Sequence, residues 1–399
     1  MNPEVDGENC LVFPPGGKIF DKNLQWGKKV YIINHERNLR MHKKLQDIKS
    51  REENMQKSSW KEKIRALLEK KKWDVKDWHR ALKTEQWQLE QLLLADTSSM
   101  DEGDLEKIYE MTKSAKLDKK LMRFEHPVMI AVWAHKGGTG KSTTATNLSY
   151  ELSQMGYNVL AIDTDSQSDM TSVLYPQYLD DPEKSFYEAF SFCDDFQDTE
   201  YICRTEYPNL DIVAGSAKCE GLENVLGAYD EKHRDKMWER CLRGVRKANY
   251  YDFIIVDMDK TAGMMNRAIL LESDYVVSPI EPAMFAMKAV PPIITQVEEV
   301  AKTNQKLKLL GILYNKVDLR KKKAVTENME LVNGFAPDIA FKTYIKNDSN
   351  VENSQKEHMP LGYYNRSSAA GKQMIEFTQE MLERIRNHRE EIANAEKEG

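Results

Sequence analysis

The sequence predicts an α/β protein: a doubly wound, mostly parallel sheet covered by helices on both faces, preceded by a small all-α domain. Two observations predict it. From residue 128 onward, short apolar runs alternate with helix-periodic stretches, as expected of parallel strands buried on both faces. Before that point the chain is dense in Lys, Arg, Glu and Gln, and its apolar residues recur at helical spacing. At 399 residues it is too long for one ordinary compact domain. The boundaries read as 1–50 for an N-terminal extension or helical arm, 51–124 for a small helical domain, and 125–399 for the α/β domain.

In chain order, Ile64, Leu67 and Leu68 share one helical face, Val75, Trp78 and Leu82 a second, and Trp87, Leu89, Leu92 and Leu93 a third. Asp101 to Asp104 open a further helix with Leu105, Ile108 and Tyr109 as its apolar stripe, and a basic linker follows over 116–123. Strands are expected over 128–133, 158–162, 210–213, 252–256, 275–279, 309–314 and 339–343, with helices between most of them. The last helix starts near Ala369 and should end in a charged, frayed tail.

Composition limits the function classes. With 41% hydrophobic and 31% charged residues, the chain has the material for a packed interior and a soluble surface. No segment approaches a membrane span, and the first residues lack the basic and apolar runs of a signal peptide, so a cytoplasmic protein with no membrane partner is expected. The five cysteines include no C-x-x-C pair, which argues for reduced thiols rather than a disulfide framework or a zinc site. A net charge of -6 means that any nucleic-acid contact must come from local basic patches.

The strongest motif is Lys136-Gly137-Gly138-Thr139-Gly140-Lys141-Ser142, placed between the first strand and a helix. Glycines let consecutive N–H groups turn toward phosphate oxygens, Lys141 supplies charge to the β and γ phosphates, and the Ser142 hydroxyl can ligate Mg²⁺. Thr143 adds a hydroxyl beside the α phosphate. The second strand delivers Asp163 and Asp165 at its C-terminal end, where ligands of doubly wound sheets gather. A third apolar run ends in Asp257, an acid suited to holding magnesium through its water shell.

With an additional lysine at Lys136, the loop resembles the deviant Walker A loop of the MinD/ParA family of P-loop NTPases, and the segment around Asp163-Thr164-Asp165-Ser166-Gln167 resembles that family's second signature. The resemblance, in three motifs in the right order, points to a ParA-type partition ATPase. It implies an ATP-dependent homodimer in which Lys136 reaches the partner's phosphates, with Lys141 and Asp165 serving hydrolysis, and Asp165 orienting the attacking water. Gly137, Gly138, Thr139, Gly140, Lys141, Ser142, Thr143 and Asn315 would hold ATP, and Ser142, Asp163 and Asp257 the Mg²⁺ site. Ser166 replaces the family's usual proline, and Asp259 and Lys260 stand where two prolines usually follow the third acidic strand.

Asn315-Lys316-Val317-Asp318 also spells the guanine-reading N-K-x-D motif, although the family's matching asparagine contacts adenine. Arg320, Lys321, Lys322, Lys323, Lys342 and Lys346 match positions where the family carries a stripe that grips DNA without reading sequence. The implied partners are non-specific DNA and a centromere-binding, ParB-like adaptor, with nucleoid association when ATP is bound. The helical domain resembles a helix-turn-helix, with Asp74 as a cap, a turn at 82–84 and a recognition helix over 85–94. Its Glu85, Gln86, Gln88 and Glu90 offer little cationic surface to a major groove, so protein docking stays open beside operator binding. An ATP-switched transcriptional regulator and a MinD-like protein-positioning ATPase are the alternative functions.

Overall fold

The computed structural model describes residues 60–73, 75–82, 102–115, 122, 124–177, 184–197, 201–282 and 286–398. These divide at 116/117 into two compact units.

In the first unit, α1 (60–71), α2 (Val75–Leu82) and α3 (Glu102–Ser114) enclose Ile64, Leu68, Trp78 and Leu105. Leu82, Ile108 and Tyr109, read from the sequence as stripe residues, pack half-buried against these four, while the Val75 side chain and the stripe over 87–93 lie outside the described residues. Trp78 is fully enclosed, and its indole Nε1 donates to Thr112 Oγ1 at 2.7 Å, so the ring is buried without orphaning its polar end. That hydroxyl in turn donates to Ile108 O at 2.7 Å. The 85–94 recognition helix, Asp74 and Trp87 lie outside the described residues.

The second unit is built on a seven-stranded sheet: β1 (Val128–Val132), β2 (Val159–Asp163), β3 (Ile202–Arg204), β4 (Leu210–Val213), β5 (Phe253–Asp257), β6 (Tyr275–Ile280) and β7 (Lys308–Tyr314). The order is β3-β4-β2-β5-β1-β6-β7, parallel throughout except for β3 against β4. Successive side chains point to opposite faces, and both faces are covered. Met129, Ala131, Leu160, Ile162, Ile254 and Val256 enter one core, whose helical side carries Phe186, Trp238 and Ile269. Val128, Ile130, Val132, Val159, Ala161, Phe253 and Ile255 enter the other, beneath Leu148, Phe377 and Met381. This two-sided burial is why the strands read as continuous apolar runs rather than as alternating ones.

Phe124 is buried against Phe253 and Tyr157, with ring centroids 4.9 and 6.2 Å away, so the approach to β1 is anchored at its entry. The helices that matter for the site are α4 (Lys141–Gln154), α5 (Asp169–Leu174), α6 (Phe186–Phe192), α7 (Leu222–Gly227), α8 (Glu231–Ala248), α9 (Met264–Glu272), α10 (Ala286–Ala301), α11 (Lys322–Phe335), α12 (Ser349–Lys356), α13 (Leu361–Asn365) and α14 (Ala369–Glu398).

Three expectations change. The strand expected over 339–343 is an extended edge segment joined to β7 through one isolated bridge, Ile312 to Ala340. Ile312 N donates to Ile339 O at 2.9 Å and Phe341 N to Ile312 O at 2.8 Å, but the next two N–H groups turn away from the sheet. Those of Lys342 and Thr343 go to the Glu380 carboxylate, at 2.8 and 2.9 Å, so α14 side chains replace a ladder. The second change is β3, an antiparallel edge strand of half-buried Ile202 and Cys203 and exposed Arg204, with no apolar run long enough to announce it. The third is the tail, which stays helical to Glu398: Met374, Phe377, Met381 and Ile385 seat α14 on the sheet, and the Glu, Arg and Ala residues beyond them favour helix on their own.

Candidate phosphate-binding site

The loop 133–140 leaves β1 at the point where the chain's connections diverge, β5 lying on one side and β6 on the other. Gly138 and Gly140 have φ of +77° and +91°, the left-handed region where a side chain is strained. Gly140 also has no room: a Cβ there would lie 2.1 Å from Asn315 Nδ2. Gly140 is the N-cap of α4 and no side chain caps that helix, so the positive end of its dipole faces the loop.

Two residues at the end of β7 clasp the loop from outside. Asn315 Nδ2 donates to Thr139 O at 2.8 Å and Lys316 Nζ to Gly138 O at 2.7 Å, which orients these carbonyls outward. Asn315 and Lys316 thus serve the loop's backbone in this structure. Asp318, the acid of N-K-x-D, accepts from Arg320 Nε at 2.8 Å and from Nη2 at 2.9 Å.

The acidic residues divide into two environments. Thr164 N and Oγ1 donate to Asp257 O at 3.0 and 2.7 Å, which locks the end of β2 to the end of β5. Asp163 is fully buried: its Oδ2 accepts from Thr171 N at 2.8 Å and Thr171 Oγ1 at 2.7 Å, and its Oδ1 from Asp165 N at 3.2 Å. Burial pushes its carboxyl up to about 7, the Thr171 bonds opposing and the Asp165 charge adding. Asp165 faces the cleft, with Oδ1 accepting Gln167 N at 3.0 Å.

Asp257 is the most exposed to an electrostatic penalty. It is wholly buried, and neither carboxylate oxygen accepts a hydrogen bond of ordinary geometry. Burial drives its carboxyl well above the carboxylate range, Asp163 adds to that, and the Ser142 hydroxyl and Lys141 ammonium oppose it. An unpartnered buried carboxylate next to a hydroxyl is a donor set that suits a hard divalent cation with its water shell.

The cleft has a volume of about 490 Å³. The loop glycines, Lys141, Ser142, Thr143, Asp165 and Asn315 line it, whereas Thr139, Asp163 and Asp257 are buried outside its lining. Lys136 is exposed on the loop's rim. Of the basic residues matched to a DNA stripe, Lys346 lines the cleft mouth, whereas Arg320 and Lys323 are exposed on and after the turn that follows β7, and Lys342 is exposed on the edge segment. The side chains of Lys321 and Lys322 lie outside the described residues.

Sequence reasoning missed three residues here. Gln355 on α12 donates from Nε2 to Thr143 Oγ1 at 2.9 Å, Lys316 holds the loop, and Thr171 fixes Asp163. Gln355 and Thr171 have no local signal, and Lys316 stands in the sequence only as the second residue of N-K-x-D. A further consequence concerns Gly215, where a Cβ would stand 2.8 Å from the Asp163 carboxyl carbon. Gly215→Ala is expected to lower stability by about 1–3 kcal/mol through that overlap, measured by urea denaturation; an unchanged midpoint would show that the β2 end yields easily.

A parallel sheet with this loop after its first strand defines a P-loop nucleotide-binding fold. Residues 128–309 match the family model described as an AAA domain. The chain is 28% identical over 254 residues to the sporulation initiation inhibitor protein Soj of Bacillus subtilis, covering 63% of this chain and 97% of Soj. It is 22% identical over 267 residues to the chromosome partitioning protein ParA of Caulobacter vibrioides, covering 66% and 97%. Among solved structures, cobyrinic acid a,c-diamide synthase from Mycobacterium smegmatis, with a bound ATP analogue and magnesium, shares the fold at a TM-score of 0.55 and 23% identity, over 64% of this chain and 94% of that one. Over the α/β unit the chain is thus similar to partition proteins and shares the fold of P-loop nucleotide-binding structures.

Proposed function

We propose that this chain is a slow, Mg²⁺-dependent ATPase of the DNA-partition kind. ATP closes a homodimer, the dimer binds DNA without reading sequence, and an adaptor at a centromere-like site stimulates hydrolysis and release. The observation that carries this reading is the loop 136–142: it presents two lysines, one exposed and one buried beside acidic residues, at the unsatisfied start of α4.

Phosphoryl transfer needs positioning and charge neutralisation more than covalent chemistry. The N–H groups of 138–142 cradle the phosphates, and buried Lys141 sets a fixed charge against them. Ser142 and Asp257 hold the cation, which when bound neutralises charge on the phosphate oxygens; the unpartnered Asp257 oxygens fit that role. Asp163, with its oxygens on Thr171 and Asp165, supports the site by holding the loop rather than by facing the cleft. Asp165 orients the attacking water from the cleft wall. Adenine is favoured over guanine because the Asp318 carboxylate, which would have to accept from guanine, is taken by Arg320. The exposed cations Arg320, Lys323 and Lys342 supply the backbone contacts to DNA, with Lys346 nearer the nucleotide.

The test is binding to an arbitrary DNA duplex at moderate salt with ADP, ATP or a slowly hydrolysed ATP analogue, alongside Lys136→Ala. Binding should require an ATP species, weaken steeply with added salt, and be lost in the variant together with the ATP-induced dimer. Binding that ignores nucleotide would move the activity to the helical unit and favour a regulator. No DNA binding at all would favour a protein-positioning switch.

A further inference from the structure

The loop that follows β5, residues 258–263, is held in place from two sides. Glu223 on α7 accepts from Met265 N through Oε1 and from Met264 N through Oε2, both at 3.0 Å, and so caps α9 from a neighbouring helix. Buried Asn266 donates from Nδ2 to Asp259 O at 2.9 Å and also reaches Thr261 O. Gly263 permits this approach, since a Cβ there would lie 2.2 Å from Glu223 Oε1.

This braced loop carries Lys260 across the phosphate cleft. Its Cδ lies 3.8 Å from the position a Cβ would take on Gly137, and the residue lines the same cleft as Gly137, Gly138, Lys141 and Ser142. The other cleft lysines near the loop are committed. Lys316 is bonded to Gly138 O and lies 3.7 Å from Glu281, and Lys141 is buried beside Asp257 and Asp169. Lys260 is exposed and, among the described residues, makes no ion pair shown by the structure.

We propose that Lys260 is a phosphate-binding residue that acts within its own chain, placing its ammonium on the terminal phosphate of the bound nucleoside triphosphate. A braced backbone with a four-carbon stem lets the charge reach the outer face of the γ phosphate, opposite the buried Lys141. It would therefore distinguish triphosphate from diphosphate without a second subunit. The proposal rests on the nucleotide reading above and adds the source of that discrimination.

The experiment is calorimetric titration of this 399-residue chain, its Lys260→Gln variant and its Lys260→Arg variant with Mg²⁺–ATP analogue and with Mg²⁺–ADP. Loss of a charge-assisted bond predicts about a tenfold or greater rise in Kd for the triphosphate in Lys260→Gln, with little change for the diphosphate, and recovery in Lys260→Arg. Because Lys260 is exposed, far-UV circular dichroism of the variants should match the wild type. Wild-type binding with an unchanged triphosphate Kd in Lys260→Gln, or equal losses for both nucleotides, would overturn this proposal alone. Absence of nucleotide binding by the wild type would overturn the nucleotide reading and this one together.

Discussion

Replacing Lys141 with alanine is expected to abolish measurable ATP hydrolysis, a loss of about 10²–10³-fold or more in phosphate release under saturating nucleotide. The size follows from the residue's surroundings. The ammonium is buried at the first position of α4, where water screens little of its charge, and it helps offset the Asp257 and Asp169 carboxylates. Its removal takes a preorganised cation from the phosphates and leaves the acidic wall uncompensated. Lys141→Met, which keeps the stem, separates packing from charge: the same kinetic loss with an unchanged Tm would place the effect in the chemistry. Wild-type phosphate release in either variant would mean that this cleft is not where hydrolysis occurs.

Asp165→Ala should slow hydrolysis by about 10²–10⁴-fold while leaving nucleotide binding in place. The carboxylate lines the cleft beside the loop without bonding to it, and its hydrogen bond is to Gln167 N, so its loss leaves the cradle of N–H groups intact. With hydrolysis blocked and binding preserved, ATP should hold the variant in its dimeric form, read by light scattering after nucleotide addition. A variant that hydrolyses ATP normally would remove Asp165 from the chemistry. One that fails to bind nucleotide would instead assign it to the architecture of the site, alongside Asp163.

The contrast between Asp163 and Asp165 shows how far the sequence reaches. Two residues apart at the end of one strand, they read alike as carboxylates beside a phosphate loop. In the structure the first is enclosed by Thr171 and the second faces the cleft. Thr171 lies in α5, eight residues on, and no local pattern marks it as the partner. The same limit applies to the 339–343 segment: its β-branched and aromatic residues suit a strand, but the carboxylate of Glu380, 38 residues away from Lys342, decides where its N–H groups go.

The α/β class, the strands buried on both faces, and the loop 136–142 between a strand and a helix were all legible in the residues alone. These are legible because their causes are local: side-chain period, glycine's access to positive φ, and an uncapped helix start are properties of adjacent residues. The division of labour around that loop came instead from long-range packing. Asn315 meets Thr139 across 176 residues, Lys316 meets Gly138 across 178, and Glu223 braces the loop that carries Lys260. Such contacts form because strands distant in the chain end at the same edge of one sheet, where unpaired backbone groups are completed by whichever side chains the packing brings within reach.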